Sequence, residues 1–303
     1  MEAPSKAGLL DYGLLATLAA IFGASFMMTK VAVADVPPGT IAFARIVVAA
    51  AIIFVAMLMM RQTMSSLKGH WRMVFLAGLF GNALPFFLIS WGQEEVDAGL
   101  TAILMAVMPL FTLFLAHFFT ADEKLNIYRI IGFVLGLVGV AILIGIDKLA
   151  SFGGSILREY AIMAAACCYG VHAILSKFIV QLPRYAVSAG VLIASTIWLL
   201  PIVLYLDQPW NLNPSGLSWL MIILLGIFPT ALGTLMLFML VGRQGAGFLS
   251  QINFLVPVFG VLWAILFLGE VLPANAVLAL VIILIGIAIA RIKSPSKPAE
   301  RLS

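Results

Sequence analysis

The chain has 303 residues, of which 63% are hydrophobic and 10% are charged, and its mean hydropathy is +1.16. Soluble domains are about half apolar and about a quarter charged, so this composition excludes an ordinary water-soluble fold. The net charge of +4 is small, and the sequence has no Lys/Arg-rich block with interleaved aromatic residues. Nucleic acid is therefore not an expected partner.

Apolar runs of roughly 18 to 25 residues recur along the chain, each long enough to cross about 30 Å of hydrocarbon as a helix. They lack the short alternating pattern of barrel strands. We predict an all-α polytopic membrane protein with ten transmembrane helices, and we expect antiparallel neighbours because the linkers hold only a handful of residues. The predicted spans are 11–33, 38–60, 71–92, 98–119, 127–146, 159–178, 185–206, 215–241, 246–268 and 274–292.

The distribution of basic residues predicts the orientation in the membrane. Thirteen of the 17 Lys and Arg residues fall on one side, whereas Lys148 and Arg158 fall on the other and Lys30 and Arg45 lie within spans. The positive-inside rule then places both termini, including the basic tail 294–303, in the cytoplasm. No disulfide is expected, because helical geometry points the adjacent Cys167 and Cys168 about 100° apart.

An internal repeat divides the chain into halves at 1–147 and 153–293. Apolar helices resemble one another by composition alone, but a single ungapped shift of 148 residues keeps Gly, Pro and a loop acid in register across two spans. Five helices per half is an odd number, so we predict that the halves are inverted and surround a central substrate cavity, as in alternating-access transporters. The matches include Gly78 with Gly226, Ala98 with Ala246, Pro109 with Pro257 and Asp122 with Glu270, and at a shift of 147 Phe22-Gly23 with Tyr169-Gly170.

A set of short motifs accompanies this organisation: Phe22-Gly23 followed by Lys30, Pro38-Gly39 followed by Arg45, and Pro109 followed by Asp122-Glu123. Together with the ten inverted helices they resemble the EamA family of the drug/metabolite transporter superfamily, and the Met- and aromatic-rich spans look most like its YddG-type exporters of aromatic and other amino acids. The second half departs from the pattern, with Leu192 where Arg45 would map.

The resemblance implies export of small metabolites across the bacterial inner membrane. It also implies that helices 1, 3, 4, 6, 8 and 9 surround the cavity, while helices 2, 5, 7 and 10 are more peripheral.

Polar and aromatic side chains at repeat-matched, mid-span positions are the candidate substrate-binding residues, because buried polar groups in hydrocarbon need partners that a cavity or a zwitterionic substrate would provide. The alternatives are that hydroxyls bond their own backbone, that amides link helices, and that aromatic and Met side chains only pack. The candidates are Phe22, Ser25, Asn82, Phe86, Met105, Tyr169, His172, Thr234, Ser250 and Asn253.

Two cations within the spans are interpreted as structural. Lys30 lies near a membrane face and is expected to extend its amine to the interface. Arg45 lies deeper and needs a partner such as a helix C-terminus or an acid.

Gly and Pro residues at matched depths are predicted hinges, because Pro removes a helical hydrogen bond. They are Gly81, Pro85, Pro109, Pro229, Gly233 and Pro257. Static kinks are the alternative.

The Gly132-x-x-x-Gly136 stripe is suited to close packing within the bundle or in a dimer, so a monomer and a homodimer both remain open.

We predict a transporter whose partners are the lipid bilayer and a small molecule, most simply an amino acid or similar metabolite, with no cofactor or metal. No Asp or Glu lies in the middle of a span, so we expect gradient-driven movement, or proton coupling confined to His172. Exporters of organic cations and carriers of phosphorylated metabolites are the alternatives. A membrane enzyme is disfavoured, because the three histidines are dispersed and no catalytic motif is present.

Overall fold

The computed structural model describes residues 7–119, 126–145 and 155–292, and these residues form helices and connecting turns without a strand. Asp122, Glu123 and the tail 294–303 lie outside the described residues. Helices α1 to α8 are long and apolar enough to cross a membrane, whereas α9 and α10 are apolar but shorter. The helices are α1 Leu9–Ala32, α2 Pro38–Met59, α3 Trp71–Gln93, α4 Ala98–Phe119, α5 Ile127–Ile144, α6 Ser155–Lys177, α7 Arg184–Asp207, α8 Gly216–Leu249, α9 Ile252–Leu268 and α10 Ala274–Ala290.

Local signals in the sequence set several helix ends. Pro38 occupies the first turn of α2, where its missing N–H costs no helical bond. Ser215 caps α8, and Asn126 caps α5 by accepting from the Arg129 N–H at 2.9 Å. Gly269 ends α9 in a left-handed conformation with φ of 67°, which glycine adopts without steric cost.

Helices α3 and α8 each contain a π-helical stretch at the same place in the repeat. The stretches are Leu79–Ala83 and Gly226–Leu232. In both, an N–H bonds the carbonyl five residues earlier, from Leu84 to Leu79 and from Gly233 to Phe228. The predicted hinge residues of these two helices therefore lie within or beside π-helical turns, which widen the helix and are frequent at functional sites.

Helix α4 and the start of the predicted ninth span are interrupted. In α4, Ala98–Met105 and Met108–Phe119 are separated by a turn just before Pro109. The backbone breaks at Gly245, with φ of 80°, at the predicted boundary between the eighth and ninth spans. The predicted ninth span 246–268 is not one continuous helix, because the chain turns at Ser250 and Gln251 before α9 begins at Ile252. The glycine accounts for the first break, because only it takes this φ readily.

Close helix contacts recur at matched positions in the two halves. A Cβ added to Gly78 of α3 would lie 2.8 Å from the Val191 carbonyl of α7, and one added to the matched Gly226 of α8 would lie 2.8 Å from the Arg45 carbonyl of α2. Likewise, Gly23 brings α1 against α9 and the matched Gly170 brings α6 against α4. Each half therefore packs against the other through glycines that leave no room for a side chain.

The glycine stripe of α5 packs against α10 within the same chain. The Gly132 position faces the Gly286 carbonyl and Ala290, and a Cβ at Gly139 would lie 2.6 Å from the Ile283 side chain. The α5 and α10 helices can approach this closely because both contribute small residues, which favours van der Waals packing in a bilayer. The stripe is therefore used inside the bundle.

We expect Gly132→Val to destabilise the protein by about 1–3 kcal/mol, because the added methyl groups would force α5 away from the α10 backbone. The measurement is thermal unfolding in detergent. Gly13→Val is the control, since a Cβ at Gly13 meets nothing within 4 Å. Equal losses of stability in the two variants would contradict this account of the α5–α10 contact.

Candidate functional site

A cavity of about 470 Å³ lies between the two halves. Residues of α1, α2, α3, α4, α6, α8 and α9 and of the turn before α9 line it. The lining includes Phe22, Ser25, Phe26, Thr29, Arg45, Gly81, Asn82, Phe86, Ile89, Ala102, Met105, Met108, Pro109, Tyr169, Pro229, Thr230, Thr234, Leu237, Ser250, Asn253, Val256 and Pro257. Its volume lies within the range of small-molecule pockets, about 300–1,000 Å³.

Most of this wall consists of repeat-matched pairs. The pairs are Phe22 with Tyr169, Gly81 with Pro229, Asn82 with Thr230, Phe86 with Thr234, Ile89 with Leu237, Ala102 with Ser250, Met105 with Asn253, Met108 with Val256 and Pro109 with Pro257. A position and its duplicate therefore face the same space. Nine of the ten predicted binding residues line this cavity, and His172 is the exception.

His172 lines an adjoining chamber of about 760 Å³, whose wall also includes Phe22, Asn82 and Thr234. Its Nδ1 lies 3.1 Å from the Ala77 carbonyl oxygen. A carbonyl only accepts, so Nδ1 carries a proton in this contact. The imidazole occupies the space that a Cβ at Gly81 would need, which gives that glycine a packing role as well as a place in the π-helical stretch.

The predicted hinge residues divide into two groups. Gly81, Pro109, Pro229 and Pro257 line the cavity. Pro85 and Gly233 do not; a Cβ at Gly233 would lie 2.5 Å from the Phe22 ring. Gly233 thus makes room for an aromatic side chain of the cavity wall.

The polar groups of the wall differ in how far their own backbone satisfies them. The hydroxyls of Ser25, Thr234 and Ser250 donate to nearby carbonyls of the same chain segment at 2.6–2.7 Å. Asn82 donates to the Ser195 hydroxyl at 3.3 Å. An amide has two donors and an acceptor, so Asn82 retains further hydrogen-bonding capacity. Asn253 borders the cavity and a second chamber. The two amides are thus better placed than the hydroxyls to bind a ligand.

Arg45 reaches the cavity wall from α2 and is 5% exposed. Its Nη2 lies 3.1 Å from the Thr230 hydroxyl oxygen, and its Cζ lies 3.7 Å from the centroid of the Phe86 ring. The expected acid or helix C-terminus is not its partner; within the described ranges no Asp or Glu forms an ion pair with it. Helix 2, which the resemblance implied to be more peripheral, contributes this side chain to the cavity wall. A single buried cation in an apolar stretch was the signal for this position, and it was interpreted as structural.

The π-helical stretch of α8 positions the partner of Arg45. Pro229 has no N–H, so the Leu225 carbonyl lacks its usual helical donor. The Thr230 hydroxyl donates to that carbonyl at 2.7 Å, and its oxygen accepts from Arg45. The bend in α8 and the orientation of the guanidinium are therefore connected through one hydroxyl.

One end of the cavity is held shut by polar contacts, and we name it the closed face. Lys30 donates to the Gln93 and Val96 carbonyls at 2.9 and 3.0 Å, so the amine caps the end of α3 as well as approaching the interface. The Gln93 amide donates to the Phe26 carbonyl at 2.9 Å. Both oxygens of Glu270 accept from backbone N–H groups of Ala98 and Gly99 at 2.8 Å. A carboxylate at the first turn of α4 is favoured by the helix dipole and by charge-assisted bonds.

Further contacts extend across the closed face. Arg158 pairs with Glu94 at 2.5 Å and with Glu95 at 3.2 Å, and its Cζ lies 4.1 Å from the Trp91 ring. Hydrogen bonds from Ser218 and Ser215 lower the pKa of the Asp35 carboxyl below its ordinary value. These contacts connect the ends of α1 and α3 to the starts of α6 and α8.

The opposite end, which we name the open face, is reached by two chambers. The chamber beside His172 is lined by Gln62 and Arg184, and a chamber of about 710 Å³ is lined by Arg129 and Arg291. Both share wall residues with the central cavity, including Asn82 for the first and Asn253 for the second. In the described part of the chain, no group of three His, Cys, Asp or Glu residues could hold a metal ion.

The sequence model of the EamA-like transporter family matches the chain twice, at residues 11–145 and 158–292. The chain belongs to the EamA-like transporter family. It is therefore a membrane-embedded, multi-pass protein of a transporter family with a duplicated family domain, and the resemblance noted in the sequence is confirmed.

Several curated proteins are similar to it. A probable amino-acid metabolite efflux pump of Salmonella typhimurium is 30% identical over 290 residues, 91% of this chain and 93% of that protein. The aromatic amino acid exporter YddG of Ancylobacter novellus is 25% identical over 70% of this chain and 71% of its own. The uncharacterized transporter YoaV of Bacillus subtilis is 27% identical, and the match spans about half of each protein, 52% and 53%. A solved crystal structure shares the fold with a TM-score of 0.66 and 20% identity over 92% of this chain and 95% of that one.

We expect Glu270→Gln to open the closed face. Loss of the charge weakens two hydrogen bonds to the α4 N-terminus, and a loss of about 1.4 kcal/mol would shift the population about tenfold. The test protein carries a single cysteine at position 89, in place of Ile89, and has Cys167 and Cys168 replaced by serine. The measurement is the rate at which a thiol reagent added on the closed face labels this cysteine. Asp207→Asn is the matched control, because Asp207 accepts from the Thr40 N–H at the start of α2 without closing the cavity. Unchanged labelling in Glu270→Gln would show that this contact does not hold the face shut.

Proposed function

We propose that this protein exports small metabolites, chiefly aromatic and other apolar amino acids, across the bacterial inner membrane by alternating access. The observation that carries the proposal is the cavity wall made of repeat-matched pairs. A symmetric wall allows the same residues to face one side of the membrane and then the other when the halves rock. The similar proteins with amino-acid export in their names support the substrate class.

We also propose ten membrane crossings in two inverted halves. Contacts between helix ends support the inversion. Lys30, at the end of α1, contacts Gln93, and Arg158, at the start of α6, pairs with Glu94. The end of α1 and the start of its repeat counterpart α6 therefore lie on the same face, as opposite orientations require.

The sidedness follows from the basic residues. The open face carries Arg61, Arg184, Arg243 and Arg291, so the positive-inside rule assigns it to the cytoplasm. In this orientation the cavity is accessible from the cytoplasm and shut on the outside. An exporter loads its substrate in such a state.

We expect purified protein in liposomes to exchange labelled amino acids in counterflow, and Asn253→Ala to slow this exchange about three- to tenfold, the cost of one hydrogen bond. Asn275→Ala is the matched control. Asn275 lies at the start of α10 and donates to α5 carbonyls at 3.3 Å, outside the cavity. Failure of every amino acid in the panel, with uptake of an organic cation or a phosphate ester, would overturn the proposed substrate class.

We propose that the substrate gradient drives transport. His172 lines the chamber that adjoins the cavity, and it is hydrogen-bonded to Ala77 and close to Ser176. We expect an imposed pH gradient to leave the rate of counterflow unchanged. A proton-coupled rate that disappears in His172→Gln but persists in His70→Gln, whose side chain is partly exposed in the loop before α3, would replace this mechanism with coupling through His172.

A further inference from the structure

The central cavity has one charged side chain, Arg45, and no Asp or Glu among the described residues forms an ion pair with it. Of the lining residues, Arg45 is the only Lys, Arg, Asp or Glu. Thr230 accepts from its Nε at 3.4 Å and from its Nη2 at 3.1 Å. A guanidinium has five N–H donors, so one hydroxyl uses only part of them and leaves the positive charge without compensation.

An aromatic contact of Arg45 restricts where a ligand can bind. The Phe86 ring covers one face of the guanidinium at 3.7 Å, an arrangement that stabilises a cation but does not neutralise it. The edge of the guanidinium is the part that binds carboxylates through two parallel hydrogen bonds. A cation buried in this way is costly unless an anion pairs with it.

The two halves of the cavity differ at this position. The repeat counterpart of Arg45 is Leu192, and the counterpart of Thr230 is Asn82, which donates to Ser195. One side of the cavity is therefore cationic, and the matched side is neutral and polar. A substrate with one carboxylate would bind in a single orientation, although most of the wall is symmetric.

We propose that Arg45 is the anchor for the carboxylate of the transported substrate, so the cavity selects carboxylic acids, with or without an amino group, over organic amines. The inference rests on the proposed function for its transport test. No Asp or Glu of the lining is available to bind an ammonium group, so the carboxylate supplies the dominant charge interaction, and the amino group can only be hydrogen-bonded by neutral groups.

Three probes that share a phenylethyl group separate the charges: labelled L-phenylalanine, 3-phenylpropionate, which lacks the amino group, and 2-phenylethylamine, which lacks the carboxylate. In wild-type liposomes, 3-phenylpropionate should inhibit phenylalanine counterflow, and the amine should not at the same concentration. Arg45→Gln should raise the inhibitory concentration of the acid about tenfold or more. Arg45→Lys should recover part of the effect, because it keeps the charge but loses the two-point geometry.

A merely structural arginine would lower all transport without changing the preference for acid over amine, and that outcome overturns the proposal. Arg72→Gln is the matched control, since it removes an exposed positive charge outside the cavity and should leave the preference unchanged.

Thermal unfolding tests the same site without transport. 3-Phenylpropionate should stabilise the wild type and not Arg45→Gln, and 2-phenylethylamine should stabilise neither. Stabilisation by the acid that is equal in both proteins, or absent from both, overturns the proposal. If no amino acid is exchanged but the acid stabilises only the wild type, the proposed amino-acid export fails and the carboxylate site stands.

Discussion

The absence of water from the hydrocarbon region is the constraint on which this structure depends, because each backbone group freed by a bend must find a donor or acceptor within the protein. Pro229 removes one donor from α8, and the Thr230 hydroxyl replaces it at the Leu225 carbonyl. The same hydroxyl orients Arg45. The proline bend, the hydroxyl that satisfies the Leu225 carbonyl and the orientation of the charge in the cavity therefore depend on one another. Such a bend is stabilised where a polar side chain is available, as in the π-helical stretch of α8 beside the cavity.

The two peripheral helix pairs, α2–α7 and α5–α10, are joined by contacts along or at both ends of the helices, unlike the helices around the cavity. The α2–α7 pair is joined at both ends, where Asp207 accepts from Thr40 and where Gln62 accepts from the backbone of Tyr185 and Ala186. The α5–α10 pair is joined through its glycine contacts. The helices around the cavity instead meet through end contacts on one face, and their chambers lead to the other. A rocking motion would then break and form the end contacts while the peripheral pairs remain intact.

The sequence was sufficient for the helices and for most of the cavity wall. Hydrophobic length alone located the spans, because a membrane imposes one requirement on every crossing helix. The repeat alignment then identified residues such as Tyr169 and Asn253, because a duplicated position faces the same space as its partner. Neither signal depends on details of packing.

Other features were not accessible from the sequence, for physical reasons. A π-helical turn and a proline kink share the same residues, so the stretch at Leu79–Ala83 could not be distinguished from a simple kink. The turn at Ser250 and Gln251 within the predicted ninth span has no glycine or proline at these two positions to indicate it. His172 was assigned to the central wall, although the choice between that wall and the adjoining chamber depends on a hydrogen bond to Ala77, far away in the sequence. The partner of Arg45 likewise lies 185 residues away.

The position of Arg45 on α2 has a mechanical consequence if it holds the substrate carboxylate. Because α2 is joined at both ends to α7, which belongs to the other half, the guanidinium lies on a helix that is held across the boundary between the halves. The acceptor of its hydrogen bond, Thr230, belongs to the π-helical stretch of α8. A carboxylate that takes over donors of Arg45 competes with the Thr230 hydroxyl for the guanidinium. Substrate binding would then weaken the contact between α2 and the bend of α8, and the empty and loaded cavities would favour different positions of that helix.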